Sequence, residues 1–216
     1  MTNEELTAAV RDELTFDPKL DHANVAVSAD DGIVTLRGTV GAFHEKREAA
    51  KAAERVYGTT SVDNKIDVEL LVGSDRKDAE LRADLLQALM LNSIVPSSVD
   101  ADVHNGYVTL TGTADWDYQR VEAEGIAGTM RGVIDVDDEI ELTGIKPDVE
   151  DVQHDIKKAL ERNAKLDAKG ITVETSDHTV TLKGSVPSWV EHDEAVTAAW
   201  SAPGVQKVHD RLIVAY

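Results

Sequence analysis

The side chains with most chemistry to offer are seven histidines, His22, His44, His104, His154, His178, His192 and His209. No two of them stand four apart, the spacing that brings two imidazoles to one helix face for a metal. The sequence holds no H-E-x-x-H, P-loop, G-x-S-x-G or C-x-x-C pattern, each of which carries a defined catalytic mechanism. It has no cysteine, which removes thiol nucleophiles, zinc–thiolate sites and disulfides. His104 and His178 fall at the tips of expected hairpins, where a solvated turn residue is the plain reading. The chain reads as a non-enzyme with no cofactor.

Two clusters are better suited to binding. Nine aromatic residues occur in all, and Phe43, Trp116, Tyr118 and Trp189 fall within one three-position window of an internal repeat. That window is the loop entering a helix. The favoured reading is a hydrophobic staple on the first helical turn; the alternative is a contact patch for a lipid interface or a partner, which Trp and Tyr suit. The second cluster is acidic: Asp135, Asp137, Asp138, Glu139 and Glu141. Strand alternation places Val136, Ile140 and Leu142 inward and leaves Asp137, Glu139 and Glu141 on the outer face, with Asp100 and Asp102 alternating likewise. An oxygen-only set suits calcium or another hard cation, although the spacing is not that of an EF-hand. A solvated face that discourages aggregation is the favoured reading.

Charge narrows the partners. Forty-one acids and twenty-two bases give a net charge of −19, the wrong sign for phosphate neutralisation, so nucleic acid is not expected. Attraction to anionic headgroups is opposed in the same way. Residues 1–70 carry −6, 71–144 carry −10 and 145–216 carry −3. No apolar run approaches the ~20 residues of a membrane-spanning helix. The opening Met1-Thr-Asn-Glu-Glu-Leu lacks the basic and apolar regions of a secretory leader. The expected location is cytoplasmic for the chain as written, and periplasmic if a leader precedes it.

The elements that must position these residues are written three times. Leu20–Val68, Ile94–Leu142 and Leu166–Val214 align without a gap at offsets of 74 and then 72. Val34, Val108 and Val180 coincide, as do Leu36, Leu110 and Leu182, and Ala49, Ala123 and Ala195. Such a repeat means one small unit made three times. The expected modules are residues 1–70, 74–144 and 147–216, joined by linkers at about Glu69–Ser74 and Thr143–Pro147. Shared active-site histidines are excluded by the same alignment, since the copies differ at those positions.

Each copy begins with an amphipathic helix. Its apolar stripes are Leu6, Val10 and Leu14; Leu81, Leu85 and Leu89; and Val149, Val152, Ile156 and Leu160. Thr2-x-x-Glu5 is a capping-box pattern, Ser74 or Asp75 are the expected caps of the second copy, and Pro147-Asp148 starts the third. A hairpin follows, turning at Asp31-Gly32, Asn105-Gly106 and Asp177-His178. The first two pairs supply the positive φ angles of a two-residue turn, and the third is expected to be the least comfortable. Gly38, Gly112 and Gly184 end the second strand, where a bulge or close backbone approach is expected. An alanine-rich second helix is predicted over about His44–Val56, Tyr118–Met130 and Val190–Ala202. Gly58 and Gly132 are the expected helix C-caps, and Pro203-Gly204 stops the third. A last strand runs parallel to the second. The predicted class is α+β: three tandem αββαβ modules, each a three-stranded mixed sheet with two helices on one face.

The pattern D/N-G-x-V-x-L-x-G, an alanine-rich helix, then G-V-x-x-V-x-[N/D]-x-[I/L]-x-V resembles the BON domain. It is carried by Asp31, Gly32, Val34, Leu36, Gly38, Gly58, Val62, Asn64, Ile66 and Val68 and their equivalents in the other copies, over nearly the whole chain. The resemblance implies an OsmY-like, non-catalytic interaction protein of osmotic or envelope stress. Its implied partners are a phospholipid surface or membrane-associated and unfolded client proteins. It also leaves a cytosolic potassium- or calcium-responsive module as the alternative, motivated here by Asp137, Glu139 and Glu141.

Overall fold

A computed structural model describes residues 1–70, 76–143, 149–163 and 170–216, with the side chains of 149–151 left out. The expected caps Ser74 and Asp75, the pair Pro147-Asp148, the Val149 side chain and the module limits at 74 and 147 lie outside the described residues.

The first copy runs α1 (Asn3–Phe16), β1 (Val25–Asp30), β2 (Ile33–Val40), α2 (Phe43–Glu54), β3 (Ser61–Val68). The second runs α3 (Asp78–Leu91), β4 (Asp100–His104), β5 (Tyr107–Thr111), β6 (Thr113–Ala114), α4 (Asp117–Thr129), β7 (Asp135–Asp138), β8 (Glu141–Leu142). The third runs α5 (Val149–Arg162), β9 (Ile171–Ser176), β10 (Thr179–Val186), α6 (Trp189–Trp200), β11 (Lys207–Val214). The central strand of each three-stranded sheet is the second of its copy, antiparallel to the first and parallel to the last. The class is α+β with small mixed sheets, as the repeat predicts.

The cores follow the periodicities. Leu6, Val10 and Leu14 bury one stripe of α1 against Val34, Leu36 and Ala49. Leu81, Leu85 and Leu89 do the same with Val108, Leu110 and Ala123, and Ile156 and Leu160 with Val180, Leu182 and Ala195. Alanines on the second helix let its axis lie close to the sheet. The capping box at Thr2 and Glu5 is formed in both directions, at 3.2 and 2.8 Å. In the second copy the helix starts at Asp78, behind Lys77, whose side chain makes no capping bond.

Gly38, Gly112 and Gly184 sit where the chain passes itself. A Cβ on them would lie 1.9 Å from the Asn24 carbonyl oxygen, 2.1 Å from that of Ser98 and 1.9 Å from that of Gly170. Any side chain there collides with backbone, and φ is also positive.

Three local expectations change. Asp31-Gly32 and Asn105-Gly106 both take positive φ, but in the third turn only Asp177 does. His178 is thereby relieved of the left-handed region; its Nδ1 lies 2.9 Å from the Gly204 carbonyl oxygen instead. Gly58 and Gly132 are not helix caps, because the helices end earlier, at Arg55 and Met130. With Gly204 they are the third residues of equivalent four-residue turns, closed by Thr59, Val133 and Val205 N–H donating to Val56, Met130 and Ala202 carbonyls. A positive φ at that position makes a type II turn, and Pro203 takes its customary second place. The last strand of the second copy is interrupted, with β7 pairing to β5 and β8 to β6. Hydrogen bonds from Glu139 to Leu110 and from Glu141 to Gly112 carry the ladder across the gap.

Candidate functional site at the module junctions

The motif's polar residue, Asn64, Asp138 or Asp210, points toward the second helix. In each copy its Oδ1 accepts the backbone N–H two residues on, from Ile66, Ile140 and Leu212, at 3.2, 3.0 and 3.0 Å. The second polar atom reaches the same helical position three times. Asn64 Nδ2 donates to the Lys46 carbonyl at 2.8 Å, Asp138 pairs with Arg120 at 3.3 Å, and Asp210 lies 2.7 Å from His192 Nε2. The slot braces the last strand against the helix in three different chemistries. Burial pushes the Asp138 carboxyl up, against the pull of Arg120. His192 is pushed up by its hydrogen bond to Asp193 and by Asp210, against the effect of burial.

The aromatic window lies next to this slot, and it is where the copies meet. Phe43 and Trp189 are the first residues of α2 and α6, and Trp116 is the cap residue of α4. A staple needs the residue before the cap, so none of these three rings is one. Phe43 is buried in the hydrophobic core of the second copy, not its own. A Cβ on Gly128 of α4 would lie 3.4 Å from the Phe43 ring and 3.2 Å from Arg47, which pairs with Glu124 at 3.2 Å.

Trp189 makes the corresponding contact between the third copy and the first. Its indole Nε1 donates to the Thr59 carbonyl at 3.0 Å, and the Tyr216 hydroxyl donates to the same oxygen at 3.1 Å. The Tyr216 ring meets Tyr57 edge-on at 4.6 Å. Glu54 belongs to this junction too, and burial followed by the charge of Asp193 pushes its carboxyl up.

Under the 74- and 72-residue translations Phe43, Asp117 and Trp189 are one position, and Glu54, Gly128 and Trp200 another. The start of each second helix thus faces the end of the next one's, from first copy to second, second to third, and third to first. At the second-to-third junction the ring comes from the other side: Trp200 packs on the second core, with the Arg120 guanidinium over its face at 4.7 Å. Asp117, paired to Arg120, stands where the other two copies have Phe43 and Trp189.

That junction stays open. A cleft of about 790 Å³ remains, walled by Trp116, Tyr118, Val121 and Ile94 on one side and Trp200 and Thr197 on the other. Ile94, Trp116, Tyr118 and Val121 are 40%, 37%, 59% and 50% exposed, an apolar run that a monomer seldom leaves uncovered without a use. Of the expected contact residues, therefore, Phe43 is buried, Trp189 is committed to Thr59, and Trp116 and Tyr118 line open space.

Asp137, Glu139 and Glu141 are exposed on the far side of the sheet. Among the described residues no three His, Asp or Glu side chains group so as to hold a metal ion. No helix of the described residues is long and apolar enough to cross a membrane. Trp200 and Thr59 are the contributors that sequence reasoning passed over. The signal for Trp200 was its register: a large ring where the other copies carry Glu54 and Gly128.

The BON domain family model matches residues 2–69, 77–144 and 148–216. Osmotically-inducible protein Y of Escherichia coli (strain K12) is 32% identical over 145 residues, which are 65% of this chain and 72% of that protein. Among solved structures, CdsD of the type III secretion system of Chlamydia trachomatis covers 98% of this chain and 92% of its own at 12% identity and a TM-score of 0.28. The PrgH periplasmic domain covers 95% of this chain and all of its own at 9% identity and a TM-score of 0.24. Neither TM-score is high enough to argue from.

Proposed function

The chain belongs to the BON domain family, and on that premise we propose that it is an OsmY-like protein of osmotic or envelope stress that works by non-catalytic contact. It engages a phospholipid surface or membrane-associated and unfolded client proteins. The observation that carries this reading is the uncovered apolar run of Ile94, Trp116, Tyr118 and Val121, in a molecule whose polar clusters are taken up by structure. Arg120 is held between Asp117 and Asp138, and His192 between Asp193 and Asp210. These groups brace helices. A net charge of −19 directs any lipid contact to zwitterionic headgroups and makes it indifferent to salt or strengthened by it, as repulsion is screened.

The test has two arms. Cosedimentation with phosphatidylcholine vesicles at two salt concentrations reads the lipid contact, and light scattering of a chemically unfolded client during dilution reads client holding. The proposal requires activity in at least one arm, reduced in Trp116→Ala. A chain that neither pellets with vesicles nor delays aggregation overturns it.

A further inference from the structure

We propose that the cleft between the second and third copies is a client site, and that its occupant is a bulky aromatic side chain on an extended, basic stretch of polypeptide. The inference rests on the contact reading above and names the site and the chemistry of its ligand.

Three observations converge. First, the molecule demonstrates what such a junction accepts: at the equivalent place between the first and second copies the Phe43 ring leaves its own module and is buried in the next core. Between the third and first copies Trp189 does the corresponding work. Second, the position that supplies those rings holds Asp117 at the open junction. A carboxylate paired to Arg120 cannot fill an apolar space, so the rings of Trp116, Tyr118 and Trp200 become walls instead of filling. A volume of about 790 Å³ falls in the range of small-ligand sites, roughly 300–1,000 Å³; it accommodates a large ring together with its neighbours on a chain. Third, the rim is acidic. The two charged residues that line the cleft are both carboxylates, Asp117, which pairs with Arg120, and Glu122, which accepts from Asn92 Nδ2, and residues 71–144 carry −10 in all. An acidic rim around an apolar floor selects Lys or Arg beside the aromatic residue and disfavours acidic segments and anionic headgroups.

The geometry also separates this site from the environment of the third tryptophan. The chain has three tryptophans. Trp116 and Trp200 face the cleft, while the Trp189 indole N–H is bonded to Thr59. Their three indole N–H resonances therefore report occupancy directly.

The experiment is an NMR titration of the full chain with a short peptide carrying Phe flanked by lysines. Controls are the same peptide with Phe replaced by Ala and one with glutamates for the lysines. Expected are shifts of the Trp116 and Trp200 indole signals with Trp189 unmoved, and affinity at least tenfold weaker for both control peptides. Val121→Lys and Tyr118→Ala, both at exposed positions, should each weaken the lysine peptide at least fivefold while leaving the remaining spectrum unchanged. Absent shifts, shifts confined to Trp189, or equal binding of the acidic peptide overturn the proposal. So do phosphatidylcholine vesicles that perturb Trp116 and Trp200 when the peptide does not, which would assign the cleft to lipid. If the peptide fails while the chain still delays client aggregation, the cleft is not the site and the contact function stands.

Discussion

The indole Nε1 of Trp189 donates to the carbonyl oxygen of Thr59 at 3.0 Å across 130 positions of sequence. The bond closes the cycle of three copies, since the last module returns to the first. Tyr216 shares the same acceptor. Trp189→Phe keeps most of the ring and leaves that oxygen one donor, so we expect a loss of about 1 kcal/mol. Trp189→Ala removes the packing as well and should cost about 3 kcal/mol. Denaturant midpoints check both, and an unchanged midpoint for the alanine variant would mean the junction contributes no stability.

Thr59 itself carries a fully buried hydroxyl with no hydrogen-bond partner among the described residues. The equivalent residues are Val133 and Val205. An unpartnered buried hydroxyl is a net cost, and valine has the same branched shape. Thr59→Val is expected to stabilise the chain by about 1 kcal/mol. Thermal unfolding at a single pH settles the sign; a lower midpoint would show that the hydroxyl is satisfied in solution.

Two glycine substitutions should have opposite signs. Gly38→Ala drives a Cβ into the Asn24 carbonyl, and we expect a loss above about 4 kcal/mol, the range reserved for severe collisions. Gly125 lies within α4, where an added Cβ meets nothing within 4 Å. Gly125→Ala should therefore stabilise by up to about 1 kcal/mol through helix propensity. Circular dichroism melts of the pair distinguish a steric cause from a general intolerance of substitution.

His192 makes the third-to-first junction sensitive to pH. It faces Asp193 on its own helix, Asp210 on β11 and Glu54 from the first copy, with the Trp189 ring at 4.7 Å. Its folded value lies above the ordinary 6.5, so its contribution is complete below about 6.5 and is lost as pH rises through the folded value. Glu54 is also raised; its neutral form is favoured on folding, so its ionisation weakens the same junction as pH rises. His192→Gln should melt below the parent near pH ~6 and coincide with it near pH ~9. A deficit that grew with pH would contradict this account.

How much of this was legible in the residues differs element by element. The stripes Leu6–Val10–Leu14 and Leu81–Leu85–Leu89, and the close approach at Gly38, follow from helical periodicity and from the sterics of a missing Cβ. Both are local, and three registered copies reinforce one another. The inward turn of Asn64, Asp138 and Asp210 was hidden, because strand alternation identifies which face a residue takes but not what a polar side chain there will meet. Asp138 was grouped with its acidic neighbours, yet it is the one that braces Arg120.

The sequence by itself determined three α+β modules, their cores and their hairpins, since these depend mainly on contacts within one repeat and on conformational preferences of single residue types. Only the tertiary structure decided which rings are spent between copies and which remain open. That outcome rests on matched pairs such as Phe43 with Gly128 and Trp189 with Thr59. Their partners are far apart in sequence, and their complementarity of size and hydrogen bonding has no period to read.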